Sequence, residues 1–175
     1  QAANRTGKFI AGGHSLVPLM KLRLSEPQLL IDISRIAELA GISERDGKIV
    51  IGAGTVHRDV ATSALLQQKC PVVAECAETI GDPQVRNRGT VGGNVAHADP
   101  ASDLPTVFLA LGSTFHIAGP NGVRSVHAAN FFTGLFETAL AENEVLTAVE
   151  VPAEHTETGS AYTKLFNPAS RYAMV

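Results

Sequence analysis

The chain has 175 residues, 45% of them apolar and 18% charged, with a formal net charge of -3 at pH 7. That length suits one domain with a sizeable core, and the charge balance excludes a surface built for nucleic acid. No apolar run approaches the ~20 residues of a membrane span, and Gln1-Ala2-Ala3-Asn4-Arg5 lacks the apolar core of a signal peptide, so the cytoplasm is the expected compartment. Cys70 and Cys76 are the only cysteines. Their spacing gives neither a redox pair nor a thiolate set for a metal cluster, and both are expected as buried thiols.

From the N-terminus, residues 8–11 read as a strand entering a small-residue loop, and 18–22 as a short helix or turn. Residues 28–33 are nearly all apolar, which predicts a strand covered on both faces. A brief helix over 35–40 should stop at Gly41, and Asp46-Gly47 predicts a hairpin between 42–45 and 48–52. Thr55 is placed to cap a helix over 56–69, and Pro71 to open another through 79. Further on, Asp99 or Ser102 should cap a helix that carries Leu104, Val107, Phe108 and Leu111 and ends at Gly112. Residues 114–118 and 123–126 flank Gly119-Pro120-Asn121-Gly122 as a second hairpin. Residues 128–140 are expected to be helical in part, with strands over 144–151 and 160–166. Strands joined by hairpins, with helices in blocks, predict an α+β fold.

Two stretches depart from this ordinary pattern. Ala11-Gly12-Gly13-His14-Ser15 and Thr90-Val91-Gly92-Gly93-Asn94 each set paired glycines among hydrogen-bonding side chains. Without Cβ atoms, such loops let backbone N–H groups approach an anion, and two of them can grip the halves of a pyrophosphate. Other motifs fall away. Gly52-Ala53-Gly54-Thr55-Val56-His57 begins like a dinucleotide fingerprint, but His57 stands where the third glycine belongs and a hairpin precedes it. Phe9 after Gly7-Lys8 rules out a Walker loop, and the six histidines include no pair at zinc-binding spacing. His97, Ser102 and Asp103 lie too close in sequence for a catalytic triad, and no nucleophile elbow is present.

The two glycine motifs together resemble the paired signature of the FAD-binding subunits of molybdenum hydroxylases, above all those of aerobic carbon monoxide dehydrogenases. Pro18-Leu19-Met20-Lys21-Leu22-Arg23, Ile51-Gly52-Ala53-Gly54-Thr55, Asp82-Pro83-Gln84-Val85-Arg86-Asn87 and Asp99-Pro100-Ala101-Ser102-Asp103-Leu104-Pro105 fall in the family's order. The resemblance implies the two-lobed α+β fold of the vanillyl-alcohol oxidase and p-cresol methylhydroxylase flavoproteins. The smaller lobe would span about 1–54 and the larger about 55–175, with the chain truncated at both ends and the family's C-terminal domain absent.

The resemblance also assigns roles. Ala11, Gly12, Gly13, His14 and Ser15, with Thr90, Val91, Gly92, Gly93 and Asn94, would hold the pyrophosphate and ribityl region, and Leu16 would follow along the cofactor. Asp103 would bond FAD, Ile80 line the flavin site and Leu146 lie near its adenine or ring edge. Lys164 would stand near the ring and Tyr172 against the isoalloxazine. No catalytic side chain is implied, since the flavin carries the redox chemistry. The implied partners are a large molybdenum-cofactor subunit and a small subunit with two 2Fe-2S clusters, which would pass electrons through this FAD to an external acceptor.

Alternatives stay open from the residues alone. The whole complex could instead act on xanthine, nicotinate or an aromatic thioester. The chain could be an interaction module with a degenerate flavin site, or a single-chain flavin oxidoreductase with cofactor linked to His14. Asp103 could merely cap a helix, Lys164 be solvated, His14 serve its own loop and Tyr172 sit in the core.

Overall fold

The computed structural model describes residues 7–153 and 159–174. Strand β1 (Gly7–Ile10) pairs in parallel with β2 (Leu29–Asp32), and α1 (Leu16–Lys21) lies between them in sequence. Leu29, Leu30 and Ile31 are each at least 40% exposed, so β2 is not covered on both faces as its composition predicts. With β1 as its single partner it remains an open edge among the described residues. A 3-10 turn at Ala37–Leu39 replaces the helix expected over 35–40. Strands β3 (Ile42–Arg45) and β4 (Lys48–Gly52) form the expected hairpin, with Asp46 and Gly47 at φ 51° and 74°, the positive values that a tight two-residue turn demands.

The helix expected over 56–69 is two: α2 (His57–Ala61) and α3 (Ala64–Lys69). Ser63 starts the second by accepting the Leu66 N–H at 3.3 Å, a local cap that competes with helix continuation. Thr55 caps neither. Its hydroxyl accepts the Gly41 N–H at 3.0 Å and donates to the Gly41 carbonyl at 3.1 Å, tying the turn before β3 to the end of β4. Helix α4 (Pro71–Glu78) opens on proline as expected. Asp82 caps the short α5 (Pro83–Arg86) by accepting the Val85 N–H at 2.8 Å. Helices α6 (Val91–His97) and α7 (Asp103–Ala110) follow.

Strands β5 (Thr114–Gly119) and β6 (Gly122–His127) make the second expected hairpin. Residues 128–140 hold only a 3-10 turn at Ala128–Asn130, followed by a small hairpin of β7 (Phe132–Gly134) and β8 (Glu137–Thr138). Strand β9 (Val145–Pro152) completes a five-stranded antiparallel sheet of order β3-β4-β9-β5-β6. The first hairpin therefore shares a sheet with strands from the second half of the chain. Residues 160–166 form no strand, and Phe166 makes only an isolated bridge to Ala173.

The sheet turns alternate residues inward, among them Ile49, Ile51, Phe115, Ile117, Val149 and Val151, all fully buried. Val73 and Cys76 of α4, Val91 and Val95 of α6, and Leu104 and Phe108 of α7 belong to the same core. Phe115 lies 4.5 Å from Phe131 and edge-on to Phe108 at 6.2 Å, centroid to centroid. Both cysteines are buried, and neither forms a disulfide among the described residues. Gly92 belongs to the same close packing, since a Cβ there would stand 2.5 Å from the Ala53 Cβ. Gly92→Ala is expected to lose about 1–3 kcal/mol of unfolding free energy by overpacking, read as an earlier urea midpoint.

Candidate functional site

The site is built on a strip where two distant segments run side by side. The His57 N–H donates to the Gly89 carbonyl at 2.9 Å, Val91 N–H to Thr55 at 3.0 Å, and Gly92 N–H to Ala53 at 2.7 Å. Thr90 then caps α6, accepting the Gly93 N–H at 3.1 Å. The motif Thr90–Asn94 is thus the start of a helix rather than an open loop, and its amides at Val91, Gly92 and Gly93 already have acceptors. The first motif behaves differently. The N–H groups of Gly12, Gly13, His14 and Ser15 have no acceptor among the described residues. Gly12 packs directly on the strip, where a Cβ would overlap the Arg88 carbonyl, and Gly13 turns the chain at φ 76°.

Between the two motifs opens a cleft of about 700 Å³, the size of a small-molecule or cofactor site. One wall is formed by Ala11, Gly12, Gly13, His14, Ser15 and Leu16. Ile80, Thr90, Gly93 and Asn94 face it, and Asp103, Lys164 and Tyr172 also line the space. Three sequence candidates lie elsewhere. Val91 and Gly92 are buried behind the wall, and Leu146 is 4% exposed in the core through β9. The cleft also takes in His57, His97 and Ser102, which sequence reasoning did not assign to cofactor binding.

Asp103 does not cap α7. Its side chain accepts from Lys164 Nζ at 2.9 Å and from the Tyr162 hydroxyl at 2.6 Å, while Lys164 also donates to the Thr79 carbonyl at 3.3 Å. The Lys164 and Asp103 side chains are 5% and 8% exposed, so this lysine is no solvated residue. Burial, and then the bond to Asp103, push the Tyr162 phenol upward and keep it a donor. Burial and the Asp103 charge likewise raise the Cys76 thiol, with Lys164 opposing, so it stays protonated. Tyr162 was missed; its one signal was its place two residues before Lys164, on the same side of the strand expected over 160–166. Tyr172 is 53% exposed and not core.

Two buried polar atoms in the cleft wall lack partners among the described residues. Asn94 donates through Nδ2 to Ser102 Oγ at 2.8 Å, which leaves its Oδ1 acceptor unmet. His57 is 3% exposed with Nδ1 unpaired, and burial first, then His14, lower its pKa to about 4. Unengaged amides on one wall and a free carbonyl acceptor on the other fit a ligand that carries both anionic oxygens and hydroxyls, as a flavin dinucleotide does.

Residues 1–154 match the family described as the FAD binding domain in molybdopterin dehydrogenase, and the chain belongs to that family. FAD is therefore its cofactor. Among relatives, the carbon monoxide dehydrogenase medium chain of Hydrogenophaga pseudoflava is 51% identical over 158 residues, covering 90% of this chain and 55% of the relative. That of Afipia carboxidovorans is 42% identical over 164 residues, covering 94% and 57%. The solved carbon monoxide dehydrogenase from H. pseudoflava that lacks the Mo-pyranopterin moiety superposes at a TM-score of 0.93 with 49% identity, covering 96% of this chain and 58% of its own. The chain thus spans somewhat over half the length of these relatives. Among the described residues no helix is long and apolar enough to cross a membrane.

Two outcomes follow from the buried groups. Lys164→Met leaves the Asp103 carboxylate buried without its cation and is expected to lose about 3–5 kcal/mol in urea unfolding, against about 1–3 kcal/mol for Tyr162→Phe. Folding holds His57 neutral down to about pH 4, whereas the unfolded residue protonates near 6.5, so below pH 6.5 the unfolded chain binds more protons. Stability is then unaffected by this group above pH 6.5 and falls as pH drops towards 4, by up to about 3 kcal/mol. His57→Phe should flatten that part of the pH profile of unfolding.

Proposed function

We propose that this chain is the FAD-carrying portion of the flavoprotein subunit of a molybdenum hydroxylase, most like aerobic carbon monoxide dehydrogenase. The observation that carries the reading is the row of unengaged N–H groups at Gly12, Gly13, His14 and Ser15, set across one cleft from the unmet Oδ1 of Asn94. The amides bind the pyrophosphate, each as a charge-assisted hydrogen bond that needs no net positive field from the protein. Ala11 and Leu16 extend that wall, and Thr90, Gly93 and Asn94 form the opposite one, with Asn94 accepting from a cofactor hydroxyl. Val91 and Gly92 support it from behind, and Leu146 from the core.

Ile80 supplies an apolar surface for the ring system, and Asp103 and Lys164 a polar end whose charges offset each other. Tyr172 stands at the open side. FAD, when bound, supplies exchange of electrons one or two at a time. The protein fixes its position and limits water. The partners in this reading are a large subunit with a molybdenum cofactor and a small one with two 2Fe-2S clusters, placing the cleft between cluster electrons and an external acceptor. The overall form is the two-lobed fold of the vanillyl-alcohol oxidase type, and the compartment is the cytoplasm.

Titration with FAD, followed by quenching of flavin fluorescence, is expected to saturate at one FAD per chain. Asn94→Leu should weaken binding by roughly 5- to 100-fold through the lost polar contact. A wild-type protein that leaves the fluorescence unchanged overturns the reading.

A further inference from the structure

His57 opens α2 at the end of Gly52-Ala53-Gly54-Thr55-Val56-His57, a segment that turns at Ala53 and Gly54 after β4. That segment lies along residues 89–92, with Val56 bridging Thr90, and ends by placing an imidazole in the cleft wall beside Gly89. The fit is close: a Cβ on Gly89 would stand 2.8 Å from His57 Cδ2 and 3.0 Å from Nε2. The main chain of His57 is engaged with Gly89, but its ring is not satisfied. Nδ1 is fully buried with no partner, in a residue only 3% exposed.

A buried polar atom without a partner loses its water bonds and gains nothing in return, so the state of the enclosed Nδ1 is decided by which loss is the smaller. The neutral ring carries one proton. On the enclosed Nδ1 that proton would be an orphaned donor, whereas a bare acceptor there is the lesser loss, which puts the proton on Nε2. His57 also lies close enough to His14 to feel its charge, and it lines the same cleft as the unengaged amides of residues 12–15.

We infer that His57 is a further cofactor-binding residue of this cleft, donating from its neutral imidazole to a diphosphate oxygen of FAD opposite the Gly12–Ser15 amides. A neutral donor suits this wall. It adds a hydrogen bond to the anion without burying a further charge in the cleft wall.

The inference rests on FAD occupying the cleft, and wild-type titration reads that premise separately. In the full chain near neutral pH, His57→Phe keeps a ring but no donor, whereas His57→Gln can place an amide N–H near the former Nε2. The expected result is FAD binding weakened roughly 10- to 100-fold in His57→Phe and restored to within a few-fold of wild type in His57→Gln. The thermal midpoint of the cofactor-free His57→Phe protein should be unchanged or raised, because an unsatisfied polar group has been removed. With wild-type binding intact, affinity of His57→Phe within two-fold of wild type overturns the inference. So does His57→Gln binding as weakly as His57→Phe, or an affinity loss matched by a fall in the cofactor-free midpoint, which marks a packing role alone.

Discussion

Backbone meets backbone where residues 53–57 run beside residues 89–92, and the cleft depends on that contact. Only glycine allows it. Gly92 comes too near Ala53 to carry a side chain, Gly89 leaves the space that the His57 ring fills, and Gly12 sits on the Arg88 carbonyl. Hydrogen bonds across the strip satisfy main-chain groups that would otherwise be buried without partners. They also hold two motifs, nearly eighty residues apart in sequence, on facing walls of one cavity. Similar glycine pairs consequently do different work. Among the described residues the amides of residues 12–15 take no protein acceptor, while the other motif uses its amides to fasten the wall.

Electrostatics at the cleft follow from burial rather than from net charge. A chain of net charge -3 has no overall field to draw in a diphosphate. In the proposed reading, amide dipoles and neutral donors provide the attraction locally instead. The one buried cation described in the cleft wall, Lys164, is bound to Asp103, and Tyr162 takes up the other carboxylate oxygen. Such a pair is weak as a source of stability, since desolvation offsets much of the attraction, but it fixes geometry because either charge left alone would be costly. It pins the irregular segment of 159–165 to the head of α7.

Family membership and the resemblance read from two glycine motifs agree, and the structural likeness to carbon monoxide dehydrogenase covers nearly the whole chain. Within the site, legibility was uneven. Thirteen of the sixteen cofactor residues expected from the motifs line the cleft, and the three that do not, Val91, Gly92 and Leu146, point into packing instead. A motif marks where the chain approaches a ligand, but which of its atoms remain unengaged depends on a partner strand that the motif does not contain. His57 and Tyr162 escaped for the same reason: each gains its meaning from a residue more than thirty positions away.

By itself the sequence determined the features whose causes are local. Asp46-Gly47 and Gly119-Pro120-Asn121-Gly122 made hairpins, Pro71 started a helix and the glycine pairs marked the cleft, because φ preferences and caps act within a few residues. Tertiary structure alone decided that Thr55 binds Gly41 instead of capping, that residues 160–166 form no strand, and that β2 stays open. Those outcomes turn on which distant groups compete for the same hydrogen bonds and buried surface, a choice settled only when the chain has packed.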